Sequence, residues 1–241
     1  MHIAVIGDIH GNAHALRLVL NDISKKGIRD LLILGDFVGY YYRADEVFSL
    51  LEQWQWQGVQ GNHDRMLGQL VQEGGSGKEG YRLRYGDGLE IASRTLTTSQ
   101  IVRLTELPES KELTYDGCRI LLCHGSPWSQ DEYIYPDAPH ATFERIAQLG
   151  YDIVLLGHTH YPMVRRVQKT LIMNHGSVGQ PRDFGSMASW GILTIPEREA
   201  TIQRIRFDPA TIIEDARRYN PENAYLIEVL TREQSSHAQK T

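Results

Sequence analysis

Five short polar clusters, each placed where an apolar run stops, constrain this chain more than any other feature. They are Asp8-Ile9-His10, Gly35-Asp36, Gly61-Asn62-His63-Asp64, His124-Gly125 and Gly157-His158-Thr159-His160. Four of the runs before them are β-branched or leucine-rich: Ile3-Ala4-Val5-Ile6, Leu31-Leu32-Ile33-Leu34, Ile120-Leu121-Leu122 and Ile153-Val154-Leu155-Leu156. Short runs that are apolar throughout read as strands buried on both faces. The polar residues would then project from the carboxyl ends of the strands, where open α/β sheets bind ligands.

Periodicity extends this plan. Leu16, Val19, Leu20 and Ile23 recur at helical spacing and Gly27 follows as a terminator, which makes a strand-loop-helix unit carrying Asp8 and His10 in its loop. A second unit has a strand to Leu34, a loop through Asp36, a helix from Ala44 to Trp54 and a short strand near Gly58-Val59-Gln60. Residues Glu73 to Gly88, which include Gly74-Gly75-Ser76-Gly77, show no clear period and read as a mobile loop or lid. A helix is expected over Ser99–Leu107. Strands follow near Glu112–Tyr115, Cys118–Cys123 and Asp152–Leu156, with a helix near Ala141–Leu149. The close strands Met163–Val167, Thr170–Met173, Ser189–Ile195 and Thr201–Phe207 read as antiparallel hairpins, so each sheet should be mixed. Two helices after Pro209 and a disordered polar tail over 234–241 complete the reading.

Composition narrows the function classes. The 241 residues, 41% of them hydrophobic, can bury a core without staples. Twenty-five basic against thirty acidic residues, net −5, give no global field for nucleic acid or an anionic membrane. Cys118 and Cys123 match neither a disulfide framework nor a zinc ribbon. With no apolar run of membrane length and no leader-like start, the expectation is a cytoplasmic protein with no membrane partner and no large nucleic acid.

The donors themselves point to metal chemistry. Asp8 and His10 are separated by one residue, as are His158 and His160, so on an extended backbone each pair points to one side and can reach one ion. Asp36 adds a carboxylate able to bridge, Asn62 an amide oxygen and His124 another imidazole. Oxygen and nitrogen donors without thiolate suit Mn²⁺ or Fe²⁺/Fe³⁺, with Zn²⁺ as the alternative, rather than Ca²⁺ or an iron–sulfur cluster.

In their order and spacing these motifs resemble the calcineurin-like metallophosphoesterase superfamily, and the Asp8–Asn12, Gly35–Tyr40 and Gly176–Arg182 stretches resemble its small bacterial and archaeal phosphodiesterases. The resemblance runs from Met1 to about Phe207. It implies an α/β fold in four layers, an α/β/β/α sandwich of two mixed sheets, with a metallophosphoesterase domain over 1–207; the C-terminal helices read from the apolar spacing, over 208–233, are expected to pack on that domain. It implies one ion held by Asp8, His10, Asp36 and His160, a second by Asp36, Asn62, His124 and His158, and hydrolysis through a metal-bridging hydroxide. His63 would stand near the leaving-group oxygen, with Asp64 accepting from its other ring nitrogen.

Asn12 and Arg182 are the expected substrate contacts. Arg182 follows Gly176 and Gly179 and could clamp a phosphate with its forked guanidinium, unless an ion pair with Asp183 occupies it. Two departures from the family pattern matter. Gly39 stands where a second Asp is frequent, and Tyr41-Tyr42-Arg43-Ala44 replaces Gly-Pro-Asp-Pro. Tyr40 to Tyr42 would offer stacking surfaces, which favours a small nucleotide-like phosphodiester, including a dinucleoside polyphosphate, as substrate, with a phosphomonoester also open. The competing readings are a catalytically silent binding scaffold and a protein serine/threonine phosphatase. His158-Thr159-His160-Tyr161-Pro162 does not fit the metallo-β-lactamase motif, and Asp8-x-His10 stands where an amidohydrolase would carry His-x-His.

Overall fold

The computed structural model describes residues 1–74 and 78–233. The chain opens with β1 (His2–Ile6), α1 (Ala13–Lys25), β2 (Asp30–Ile33), α2 (Ala44–Leu51) and β3 (Trp56–Gly58). Four helices follow: α3 (Asn62–Gln72), α4 (Lys78–Tyr85), α5 (Gly88–Thr95) and α6 (Thr98–Thr105). The second half runs β4 (Ser110–Tyr115), β5 (Cys118–Cys123), α7 (His140–Ala147), β6 (Ile153–Leu156), β7 (Pro162–Val167), β8 (Thr170–His175), β9 (Met187–Thr194) and β10 (Glu199–Arg206), then α8 (Ala210–Tyr219) and α9 (Tyr225–Thr231).

These strands form two five-stranded sheets, ordered β10-β9-β1-β2-β3 and β4-β5-β6-β8-β7. Within them β1, β2 and β3 are parallel neighbours, as are β5, β6 and β8, and antiparallel strands complete each sheet. Alternation along each strand builds the layers. Ile3 and Val5 of β1 and Leu32 of β2 meet Ile120 and Leu122 of β5, Ile153 and Leu155 of β6 and Met173 of β8 in a core between the sheets. Ala4, Ile6, Leu31 and Ile33 point the other way, onto Leu16, Val19, Val47 and Phe48 of α1 and α2. Val154, Leu156 and Ile172 pack on Phe143 and Ile146 of α7. The result is the expected α/β/β/α sandwich. Because both faces of its central strands are buried, their sequences run apolar without alternation.

The segment expected as a loop over Glu73–Gly88 holds α4 and the start of α5 instead, and Gly75–Gly77 lie outside the described residues. Helix α4 escapes a periodicity search because it presents no apolar stripe. Leu83 is 76% exposed, while Tyr81 and Tyr85 pack on the core and Arg82 reaches Asp87 and Glu222. The expected tail over 234–241 also lies outside the described residues.

Helices α8 and α9 grip the loop after β2. Tyr41 donates its hydroxyl to the Leu226 carbonyl at 3.2 Å, Tyr42 donates to Asn220 Oδ1 at 2.8 Å, and Arg43 pairs with Asp215 at 3.0 Å. Tyr41 and Tyr42 are therefore committed to packing, and of the three consecutive tyrosines Tyr40 alone has its ring against candidate site residues. The expectation of a triple stacking surface is corrected accordingly.

Candidate metal centre

Every candidate ligand sits just past the carboxyl end of a strand, Asp8 after β1, Asp36 after β2, Asn62 after β3, His124 after β5, and His158 and His160 after β6. The backbone there is not extended. Asp8, His10, Asp36, His158 and His160 all have φ between 47° and 66°, a left-handed conformation costing non-glycine residues roughly 1–2 kcal/mol each. Among the described residues only four other non-glycine positions share it. Cross-links between the turns hold this strain: Asp8, Ile9 and His10 donate their amides to the Gly35 and Asp36 carbonyls at 2.8–3.0 Å, and His158 donates its own to Asp8 Oδ2 at 3.1 Å. Clustered strain of this kind marks functional sites.

The side chains converge in two groups that share Asp36. His160 Nε2 lies 3.2 Å from Asp8 Oδ1, and His10 Nε2 lies 3.9 Å from the same oxygen and 3.5 Å from Asp36 Oδ2. On the other side His124 Nε2 is 3.4 Å from that Asp36 Oδ2 and 3.0 Å from Asn62 Oδ1. His158 joins Asp36 and His124 in a cluster whose ligand atoms lie within 4.8 Å of one another. All seven residues are 5% exposed or less.

Protonation makes this convergence hard to explain without a cation. The Nδ1 atoms of His10, His124 and His160 face the carbonyls of Val38, Leu34 and Gln180 at 3.1, 2.6 and 2.7 Å. Each Nδ1 therefore carries a proton, and each Nε2 points into the centre. His10 Nε2 and His160 Nε2 lie 3.0 Å apart. Burial first of all holds both rings well below the usual histidine range, so two lone pairs face each other beside a carboxylate. Asp8 Oδ1 and His158 Nε2 have no hydrogen-bond partner among the described residues, and burial, then His124, pushes His158 down to about 3. Burial opposes charge on Asp36, yet His124, His63 and His10 hold its carboxyl well below the usual range. Burial also opposes charge on His124, but Asp36, Asp8 and the Leu34 carbonyl raise it to about 10. A buried set of O and N donors, proton-poor at His10, His158 and His160, fits divalent cations.

His63 and Asp64 start α3, behind the cap Gly61. The His63 amide donates to Asp36 Oδ1 at 2.8 Å, and its ring packs on Tyr85, Tyr40 and His10 with centroids 4.6–4.9 Å away. Asp64 does not accept from the His63 ring. Its oxygens accept the backbone N–H groups of Asp36, Gly61, Phe37 and Val38 at 2.8–3.4 Å, and among the described residues His63 Nδ1 has no partner. The expected orienting pair is thus corrected. Four amides on two adjoining turns claim the carboxylate, and Gly39 occupies the place beside His63 Nδ1. A Cβ on Gly39 would lie 2.7 Å from that nitrogen and 2.5 Å from His10 Nδ1.

Asn12 is held in the fold: its Oδ1 caps α1 at Ala15 N, 3.0 Å away, its Nδ2 donates to the Gly179 carbonyl at 2.8 Å, and the residue is 1% exposed. Arg182 is different, because Asp183 is paired with Arg204 and not with it. Arg182 Nη2 donates to Tyr40 Oη at 3.1 Å, and its buried Nε has no partner among the described residues.

Residues that single-site reasoning missed stand behind the ligands. Asn174 donates to the Gly157 carbonyl and Thr159 Oγ1 at 2.7 and 3.0 Å, fixing the His158–His160 turn. His175 Nε2 lies 3.8 Å behind Asp8 Oδ2. The signal was another apolar run, Leu171-Ile172-Met173, that ends in Asn174-His175-Gly176. A separate cavity beside α1 contains none of the candidate ligands, and its cations Arg17 and Arg43 are already paired with Glu46 and Asp215.

The four-layer sandwich and the Asp/His/Asn set at its strand ends define a metallophosphoesterase domain. Residues 1–198 match the calcineurin-like phosphoesterase superfamily domain, and the chain belongs to that superfamily. It is 32% identical over 231 residues to an uncharacterized protein of Methanocaldococcus jannaschii, covering 86% of this chain and 88% of that one. The crystal structure of a metallophosphoesterase from Sphaerobacter thermophilus is similar at 27% identity with a TM-score of 0.74, covering 95% of this chain and 98% of the other. A hypothetical protein of Pyrococcus horikoshii OT3 shares the fold with a TM-score of 0.84 at 21% identity, over 96% of this chain and 98% of that one. Among the described residues no helix is long and apolar enough to cross a membrane.

Proposed function

We propose that this protein is a two-metal phosphoesterase acting on phosphodiester bonds. The observation that carries the reading is the position of Asp36 Oδ2, 3.5 Å from His10 Nε2 and 3.4 Å from His124 Nε2. One carboxylate oxygen faces two donor groups, as a bridge between two cations requires. Asp8, His10, Asp36 and His160 would hold one ion and Asp36, Asn62, His124 and His158 the other, with Mn²⁺ or iron as the first choice and Zn²⁺ as the alternative. When bound, such ions acidify water and neutralise charge on phosphoryl oxygens.

The chain's own residues supply the remainder. The left-handed turns and their backbone cross-links fix the donor directions before any ligand arrives, which is the preorganisation that electrostatic catalysis needs. His63, kept below the usual histidine range chiefly by burial, is neutral and presents one ring N–H toward the leaving oxygen. Arg182, with no carboxylate partner among the described residues and Nη2 on Tyr40 Oη, attracts the phosphate from the side of Tyr40.

The test is hydrolysis of bis-p-nitrophenyl phosphate and p-nitrophenyl phosphate by metal-stripped protein to which Mn²⁺, Fe²⁺, Zn²⁺ or Mg²⁺ is restored, with Asp36→Asn as control. Metal-restored diester cleavage that the control lacks is expected. Two bound ions without cleavage of either ester would turn the assignment toward a binding scaffold.

A further inference from the structure

The family match ends at residue 198, yet the structure continues into the α8–α9 pair, and that pair reaches the candidate centre. Tyr225, half-buried at the start of α9, places its ring centroid 6.4 Å from that of Tyr40, whose own ring lies 4.7 Å from His10 and 4.9 Å from His63. At the other end of α9, Arg232 donates Nη1 to the Arg182 carbonyl at 3.0 Å, and its own carbonyl accepts the Gly185 amide at 2.7 Å. The turn that carries Arg182 is therefore pinned by a segment outside the matched domain.

A second aromatic group comes from the loop after β5. Tyr133 lies with its ring centroid 3.9 Å from that of His158, tilted by 31°, and Tyr135 stacks on Tyr133 at 5.7 Å and 9°. Tyr133 is nevertheless 45% exposed. A large ring fixed beside a candidate ligand and open to solvent loses little conformational entropy when it contacts a ligand, the property that makes tyrosine effective in recognition. Arg182 supplies the charge in the same neighbourhood, with an Nε that has no hydrogen-bond partner among the described residues. Its Cζ lies 6.0 Å from the centroid of the Tyr40 ring that Tyr225 approaches, and its backbone N–H faces the carbonyl of His160, two residues from the His158 that Tyr133 covers.

We propose that Tyr133 and Tyr225 form an aromatic rim around Arg182 that selects phosphate esters carrying a nucleobase, and that α8–α9 is thereby part of the substrate site. This rests on the phosphoesterase reading for its chemistry but not for its binding test. Stacking of one base on aromatic side chains is worth about 1–3 kcal/mol, which is about a 5- to 150-fold change in affinity.

The experiment is calorimetric titration of the metal-loaded full-length protein with adenosine 5′-monophosphate and with methyl phosphate, in the wild type and in Tyr133→Leu and Tyr225→Leu. Circular dichroism and metal content identify any variant that fails to fold, and Tyr133→Phe and Tyr225→Phe keep the ring in its place. The wild type should bind the nucleotide at least about tenfold more tightly than methyl phosphate. Each Leu variant should reduce that ratio about 5-fold or more, and each Phe variant should preserve it. Equal affinities in the wild type, or a ratio untouched by both Leu variants, would overturn the proposal. A nucleotide preference in a protein that cleaves no ester leaves the rim standing and refutes the phosphoesterase. Ester cleavage without the preference does the reverse.

Discussion

Asp64 Oδ2 accepts the backbone N–H of Asp36 at 2.8 Å, so the residue that would bridge two cations is held at its main chain by another carboxylate. The same oxygen takes the Gly61 amide, while Oδ1 takes those of Phe37 and Val38. Burial, then Asp36, pushes the Asp64 carboxyl up, and the Gly61 and Val38 amides pull it back. In Asp64→Asn an N–H₂ group would face two N–H donors. Leaving buried donors unsatisfied costs about 1–3 kcal/mol and more at charged acceptors. A loss of about 2–4 kcal/mol is expected, seen as a melting temperature lowered by about 5–15 °C, together with reduced metal content. An unchanged melting curve with only turnover affected would return Asp64 to a purely chemical role.

His63 should separate from Asp64 in the opposite sense. Its ring rests on Tyr85, Tyr40 and His10 and makes no bond that the fold needs. His63→Asn should therefore retain the metal content and most of the stability, while turnover falls about 10²–10³-fold, the range of a lost hydrogen-bond donor to developing charge. Elemental analysis beside kcat decides the matter. Parallel loss of metal and turnover would place His63 among the ligands, a position that its proximity to His10 and Asp36 makes the direct competitor.

The strand ends were legible because a strand buried on both faces must be apolar along its whole length, so the first polar residue after Ile6, Leu34 or Leu156 marks the edge. The donor types were legible for the same reason, since nothing else explains Asp8, Asp36 and His158 at those places. The local conformation was not. Alternation arguments assume extended backbone, whereas Asp8 and His10 share a side through left-handed turns held by Gly35 and Asp36, far away in sequence. Helix α4 stayed hidden because its cohesion comes from Arg82 ion pairs and two tyrosines. Tyr133 and Tyr225 were invisible as site residues because only the folded chain brings their segments to His158 and Tyr40.

Metal loading should depend steeply on pH because of His124. Its folded-state value in the metal-free protein is raised to about 10, against about 6.5 in an unfolded chain. The sign follows: the protonated ring stabilises the metal-free fold fully below about 6.5, and this contribution is lost as pH rises through about 10. A cation must displace that proton, so its affinity should rise by up to about tenfold per pH unit over the same window. The gain in melting temperature on adding Mn²⁺ should therefore grow between pH 6.5 and 9 in the wild type. Of that growth, the part due to this residue should vanish in His124→Ala. A gain independent of pH in the wild type would show that His124 is not displaced by the ion.

Gly39 offers the sharpest test of how tightly the centre is enclosed. Its φ of 140° lies where a side chain is rarely tolerated, and a Cβ there would meet His10 Nδ1 at 2.5 Å and His63 Nδ1 at 2.7 Å. Neither ring can yield easily. His10 Nδ1 is tied to the Val38 carbonyl at 3.1 Å, and His63 is flanked by Tyr40 and Tyr85. Gly39→Ala must therefore move a candidate ligand, the ring facing the leaving oxygen, or both. The expected outcome is a loss of about 1–3 kcal/mol in stability from backbone strain alone, weakened binding at the Asp8/His10/His160 site, and a fall in kcat exceeding tenfold. Gly80, whose added Cβ would meet nothing within 4 Å, lies in the interior of α4 and serves as the control. There the same substitution should be neutral or slightly stabilising, since alanine favours helix by about 1 kcal/mol over glycine. Retention of metal, stability and turnover in Gly39→Ala would mean that the loop after β2 adjusts freely, and that the absence of a carboxylate beside His63 is not enforced by packing.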